Sequence, residues 1–141
     1  MKKIIVLLLI GLTSFSFTSC SSDNDSEPPV ESISLYGTWD LDYYIQNGDL
    51  IENVTCSNQI TYVFSNARTY TKTTFAGEGS VNCSVAVIVN GTWEYLGNNQ
   101  FRVTPNGSSA DQNLTITFLD NFKKFSIRYS STDTKVFAKR A

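Results

Sequence analysis

The chain of 141 residues is expected to fold as an all-β protein, an antiparallel up-and-down barrel of eight or nine strands. Three observations point there. Beyond residue 30, apolar and aromatic residues alternate with polar ones in short runs rich in Thr, Tyr, Phe, Val and Ile, with almost no helical periodicity. Asn- and Gly-containing pairs suited to tight hairpins separate these runs. Most connections are too short to carry the chain anywhere but back beside the preceding strand.

The first strand is expected at 36–46, where Trp39, Leu41, Tyr43 and Ile45 share one face, and Asn47-Gly48 ends it. Strands follow at 58–65, 68–76, 83–90, 92–97, 100–104, 112–119, 122–130 and 134–140. Side chains two apart lie on the same side of a sheet. Ile60, Tyr62 and Phe64 therefore share a face, as do Leu114, Ile116 and Phe118, and then Phe125, Ile127 and Tyr129. Asn90-Gly91 lies between two runs and carries the strongest hairpin signal, because a tight two-residue turn needs positive φ. Ser65-Asn66, Gly97-Asn98-Asn99 and Asp120-Asn121 are weaker turn signals. A meander of this length removes its open edges by closing into a barrel. A two-sheet sandwich is the competing arrangement. It needs long crossings, and the only long connections are 46–58, 76–83 and 104–112.

The N-terminus has a different character. Met1-Lys2-Lys3 is followed by an apolar run from Ile4 to Leu12 and then by small residues leading to Cys20. A basic start, a short apolar core and small residues before a cysteine describe an export signal over 1–19 that ends at a lipid-modified Cys20. Phe17-Thr18-Ser19-Cys20 resembles the bacterial lipobox, with Phe17 where Leu is usual. A cleaved signal without lipid and a transmembrane anchor are the alternatives, although the run is short of the roughly 20 apolar residues that span a bilayer. Residues 20–35 begin Cys-Ser-Ser-Asp-Asn-Asp-Ser-Glu-Pro-Pro, which is too polar to bury a core and is expected to be a flexible tether. Its Ser-then-acid start resembles the surface-export signal of Bacteroidetes lipoproteins. The partner implied is a membrane, held through acyl chains on Cys20. The implied location is the bacterial cell envelope, as an outer-membrane lipoprotein facing the periplasm or the cell surface.

Residues 36–141 are expected to form one barrel domain, and a monomer is expected. Without Lys2 and Lys3 the chain carries 9 basic and 13 acidic residues, a net charge near −4. No basic stripe is present to attract nucleic acid. There is no histidine, which removes imidazole acid–base chemistry and the usual triads. Phosphate-binding loops and paired-cysteine zinc patterns are also missing from the sequence. No catalytic residue, metal site or cofactor is assigned. Asp40 and Asp42 lie opposite Trp39 and Leu41 and are read as outward and solvated. With Cys20 accounted for, Cys56 and Cys83 remain to form a disulfide in an oxidising compartment, two free thiols being the alternative.

Gly37-Thr38-Trp39 opens the first strand, and Gly91-Thr92-Trp93-Glu94-Tyr95 recurs mid-chain. Between them lies Cys56, followed by Ile60-Thr61-Tyr62-Val63-Phe64, and the chain closes on Thr134-Lys135-Val136-Phe137-Ala138-Lys139-Arg140. In this order the motifs resemble the small lipocalin-like domain of Bacteroidetes lipoproteins, over roughly 36–141. The resemblance implies that Gly37 and Trp39 form a barrel-base signature, with a basic residue of the last strand over Trp39. Arg140 is the best match, with Lys139 and Arg128 as alternatives. It also implies a non-enzymatic binder of a small apolar or amphipathic ligand. The inward set expected to line a cavity is Tyr43, Tyr62, Phe64, Val87, Trp93, Phe101, Ile116, Phe118, Phe125, Ile127 and Tyr129. The alternative is a structural or interaction lipoprotein with a filled barrel and a protein or glycan partner.

Overall fold

The computed structural model describes residues 34–108 and 111–141. The expected signal peptide, Cys20 and all of the expected tether before Ser34 lie outside these residues. The strands are β1 (Gly37–Gln46), β2 (Asp49–Ile51), β3 (Ile60–Phe64), β4 (Thr69–Ala76), β5 (Ser84–Gly97), β6 (Gln100–Pro105), β7 (Gln112–Leu119), β8 (Lys124–Arg128) and β9 (Thr134–Lys139). Their order in the sheet is β2-β1-β3-β4-β5-β6-β7-β8-β9, and β9 pairs back onto β1. Eight antiparallel strands therefore close into a barrel, and β2 is one extra strand on the far end of β1. The all-β up-and-down barrel expected from the alternation is what the chain forms.

The strand count hides two changes. Residues 83–90 and 92–97 are not a hairpin, because β5 runs unbroken from Ser84 to Gly97 through Asn90-Gly91. Gly91 is there for close approach. A Cβ on it would lie 2.6 Å from the Tyr70 ring and would collide with the Thr104 carbonyl oxygen. The other change is a gain. Asn47 and Gly48 take positive φ of 54° and 91°, so the chain turns back at once and forms β2. Asn98-Asn99 and Asp120-Asn121 also turn with positive φ, as tight hairpins require.

A bulge in β1 corrects a third expectation. The β1–β9 register slips between Leu41 and Tyr43. Trp39 and Leu41 face the core, but beyond the slip Tyr44 packs against it instead of Tyr43. Tyr43 is turned outward with Asp42. Lys124 Nζ donates to Asp42 at 2.8 Å and lies 5.9 Å from the Tyr43 ring. An extra residue in one strand produces this inversion of faces.

The interior is densest where β1 begins. Trp39 meets Phe125 edge-on with ring centroids 4.7 Å apart, and Phe125 stacks on Phe137 at 5.0 Å. Trp93 stands against Phe64 at 6.0 Å and Phe101 at 6.1 Å. Leu35 is fully buried against this cluster, so the end of the segment read as a tether is part of the barrel. Burying each such side chain contributes about 1.5–3 kcal/mol. At the other end a disulfide joins Cys56, in a single 3-10 turn before β3, to Cys83, just before β5, with Cα atoms 5.1 Å apart.

Candidate functional site

The two ends of the barrel differ in construction. At the base, the Trp39 indole N–H donates to the Leu35 carbonyl at 2.8 Å, which holds the incoming chain across the opening. Lys139 Nζ lies 5.2 Å from the Trp39 ring centroid, within cation–π range. Gly37 has φ of +130°, and a Cβ there would lie 2.8 Å from Lys139 Cε. The glycine therefore leaves room for the lysine stem on its way to the tryptophan. Lys139, not Arg140, is the basic partner of Trp39, because it shares the inward face of β9 with Phe137.

Arg140 falls on the outer face. Its Nε and Nη2 donate to the two oxygens of Asp40 at 2.8 and 2.7 Å, and Thr61 Oγ1 adds a third bond at 2.7 Å. Burial pushes the Asp40 carboxyl up. The bonds from Arg140 and Thr61 and the Arg140 charge outweigh it and hold the group below its usual value. Asp40 and Asp42 do point outward, but both are ion-paired and not simply solvated. Arg128, the remaining alternative, donates to the Ser130 and Ser131 carbonyls.

The expected cavity lining divides into groups. Phe64, Trp93, Phe101, Ile116, Phe125 and Ile127 are buried in the base cluster and pack on one another. Trp93 is held there by an indole bond to the Ser65 carbonyl at 3.2 Å and by the Arg68 guanidinium 4.8 Å above its ring. Phe118 packs partly against the cluster and partly on Phe122. Val87 faces inward by register opposite Thr74, yet it is 54% exposed, because the β4–β5 hairpin projects past the barrel. Tyr43 is outside. Tyr62 is buried in the cluster and stacks on Phe64, and of the expected set only Tyr129 lines an open space.

That space is the mouth. A cleft of about 180 Å³ opens there, lined by Tyr44, Ile45, Gln46, Asn58, Tyr129, Asp133, Thr134 and Lys135. A wider depression of about 430 Å³ lies on the other side of Tyr129, but it is a shallow surface hollow bounded by Thr115, Arg128, Ser130 and Ser131. In the cleft, Asn58 Nδ2 donates to the Tyr44 hydroxyl at 3.1 Å, so the disulfide-bonded turn contributes directly to the wall. The Tyr62 phenol lies near that of Tyr129, and each shifts the ionisation of the other. Burial raises both phenols, Tyr62 well above its ordinary value.

Two lysines absent from the expected lining flank these tyrosines, and Lys135 lines the cleft itself. Lys72 Nζ lies 5.9 Å from the Tyr62 ring, and Lys135 Nζ lies 5.4 Å from the Tyr129 ring. Burial lowers Lys72, and burial followed by the nearby Lys72 charge lowers Lys135. Strand parity was the available signal for both. Lys72 is two residues from the buried Tyr70, and Lys135 is two from the buried Phe137.

A family model described as a lipocalin-like domain matches residues 35–135. No curated protein matches the chain.

Proposed function

Because the chain belongs to the lipocalin-like domain family, we propose that it is an exported, lipid-anchored and non-enzymatic binding protein that takes a small amphipathic ligand at the mouth of its barrel. The observation that carries this reading is the contrast between a solid base cluster and a cleft of about 180 Å³ above it, walled by tyrosines and polar side chains. Pockets that engulf a drug-sized ligand measure about 300–1,000 Å³. A cleft of this size suits a small molecule or one end of a longer one. The apolar and aromatic side chains would take the ligand's hydrocarbon, and the tyrosine hydroxyls would orient its polar end. The anchor rests on the N-terminal signal and Cys20. Several acyl chains on that cysteine give stable membrane attachment, where a single chain is marginal. The bacterial outer membrane is the setting this implies.

Calorimetric titration with octyl compounds tests the binding. The full chain carrying Cys20→Ala is used, so that no acyl chains compete. Saturable one-to-one heat with at least one octyl compound is expected. The absence of heat, together with an unmoved melting temperature, would refute the ligand reading. Membrane partitioning of the wild-type chain and the Cys20→Ala chain tests the anchor, and equal partitioning would refute it.

One observation favours a second reading, an interaction protein with a filled barrel. Residues 84–89 of β5 pair only with β4, and Val81, Val85, Val87 and Ile88 are each more than half exposed along this hairpin. A photo-crosslinker at Ile88 that gives one discrete protein adduct in the native envelope, with no octyl compound binding, would select that reading.

A further inference from the structure

We propose that the mouth is an anion site, and that the polar end of its ligand is a single anionic headgroup held between Lys72 and Lys135 against the Tyr62–Tyr129 hydroxyl pair. This rests on the binding reading above and specifies its ligand. Lys72 is on β4 and Lys135 on β9, strands separated in the sheet by β3 and β1. They are not neighbours in the sheet, and by register both fall on its inner face. Their inward direction follows from register. Lys72 lies beside Tyr62, and Lys135 lies between Tyr44 and Ile127.

Burial disfavours the charge of both, and the Lys72 charge further disfavours that of Lys135. Ordinarily such cations are paired with carboxylates when they are drawn out of water. Among the described residues neither has an ion pair, while Arg102, Lys124 and Arg140 all do. Their only close partners are the faces of Tyr62 and Tyr129. Asp133 is the one carboxylate in the cleft wall. It accepts from Ser130 Oγ at 2.7 Å, a bond that holds it to its own loop and leaves its charge in place. Two cations and two phenolic hydroxyls set against the single carboxylate of Asp133 leave net positive charge, and the missing component is an anion. Charge-assisted bonds from ammonium groups are stronger than neutral ones. The base below is apolar and filled, so the ligand's hydrocarbon would lie along Tyr44, Ile45 and the exposed inner face of the β4–β5 hairpin.

Three probes with the same hydrocarbon separate this inference from the reading it rests on. They are octanoate, octanol and octylamine, titrated calorimetrically into the full chain carrying Cys20→Ala. Octanoate is expected to bind at least about tenfold more tightly than octanol, and octylamine more weakly than octanol. Lys72→Met and Lys135→Met keep side-chain length and remove the charge. Each is expected to weaken octanoate about tenfold and leave octanol unchanged. Lys72→Arg, which keeps the charge, is expected to retain octanoate binding, and melting curves establish that each variant is folded. Octanol or octylamine binding as tightly as octanoate, or octanoate binding unmoved in folded Lys72→Met and Lys135→Met chains, would overturn the anion site and leave the binding reading standing. No heat with any of the three would overturn both.

Discussion

The base and the mouth of this barrel are made by the same strands and follow opposite rules. At the base every large side chain has a hydrocarbon neighbour, each tryptophan N–H has a carbonyl, and each tryptophan face has a cation. At the mouth, a few residues further along those strands, the inward positions are lysine, tyrosine and threonine, and two cations lack counter-ions. The base contributes stability. The mouth gives some of it up, because half-buried cations without counter-ions oppose folding. The difference predicts that substitutions at the two ends separate stability from binding.

The largest expected effect is at the base. Trp39→Ala removes a fully buried indole, its bond to Leu35 and the platform under Lys139. Such truncations cost about 3–5 kcal/mol. Urea unfolding should show that loss, while octanoate affinity measured well below the midpoint stays within about twofold of wild type. A Trp39→Ala chain that keeps its stability but loses binding would erase the distinction between the two ends. The next effect is at the mouth. The Cys56–Cys83 bridge spans 27 residues of sequence. Closing a loop of that size is worth about 3.5 kcal/mol by chain entropy. The Cys56→Ser, Cys83→Ser double variant should lose about that much. Unlike Trp39→Ala, it should also weaken binding, because the turn that carries Asn58 to Tyr44 is no longer held to the start of β5.

Much of this organisation was legible in the alternation of residue types. Inward runs such as Tyr62 and Phe64 or Phe125 and Ile127 describe the barrel and most of its core without any coordinates. Two features were not legible, each for a distinct reason. Asn90-Gly91 reads as a turn because glycine's freedom to turn and its lack of a side chain look identical in sequence. What decides between them is Tyr70 and Thr104, which arrive from other strands. The bulge at Asp42 inverts Tyr43 and Tyr44, and no local residue type announces it. Lys139 over Trp39 is a different case, since its parity with Phe137 was available. Matching Arg140 to the signature by its identity alone overrode the two-residue period. The same parity would have found Lys72 and Lys135. Lysines are usually assumed to face water, and here two of them face the lumen.

A smaller effect separates the two basic residues at the chain end. Lys139→Met keeps the stem for which Gly37 leaves room and removes the charge over Trp39. Cation–π contacts of this exposure are worth about 0.5–1 kcal/mol. Thermal unfolding should register a loss of that size. Arg140→Ala, by contrast, should leave the Trp39 fluorescence environment unchanged, since Arg140 touches Asp40 on the outer face.

The smallest effects test the comparison through pH, because charge acts with opposite sign at the two ends. Asp40 is held below its ordinary value by Arg140 and Thr61 despite its partial burial. A depressed carboxyl contributes stability above its unfolded pKa and loses it as pH falls through the folded one. The pair is largely surface-exposed, so its worth is at most about 1 kcal/mol. Asp40→Asn should therefore be slightly less stable than wild type at pH 7, and the two should converge in the acid range. Lys72 and Lys135 are lowered by burial, so their charged forms oppose folding. Stability should rise slightly as pH climbs through their folded pKa values toward the ordinary lysine range, and Lys72→Met should abolish part of that rise. A saturating anion changes this second sign, since it stabilises the protonated lysines. With octanoate bound, the alkaline rise should flatten or reverse. An alkaline rise unmoved by saturating octanoate would place the ligand away from Lys72 and Lys135 and contradict the division between the two ends.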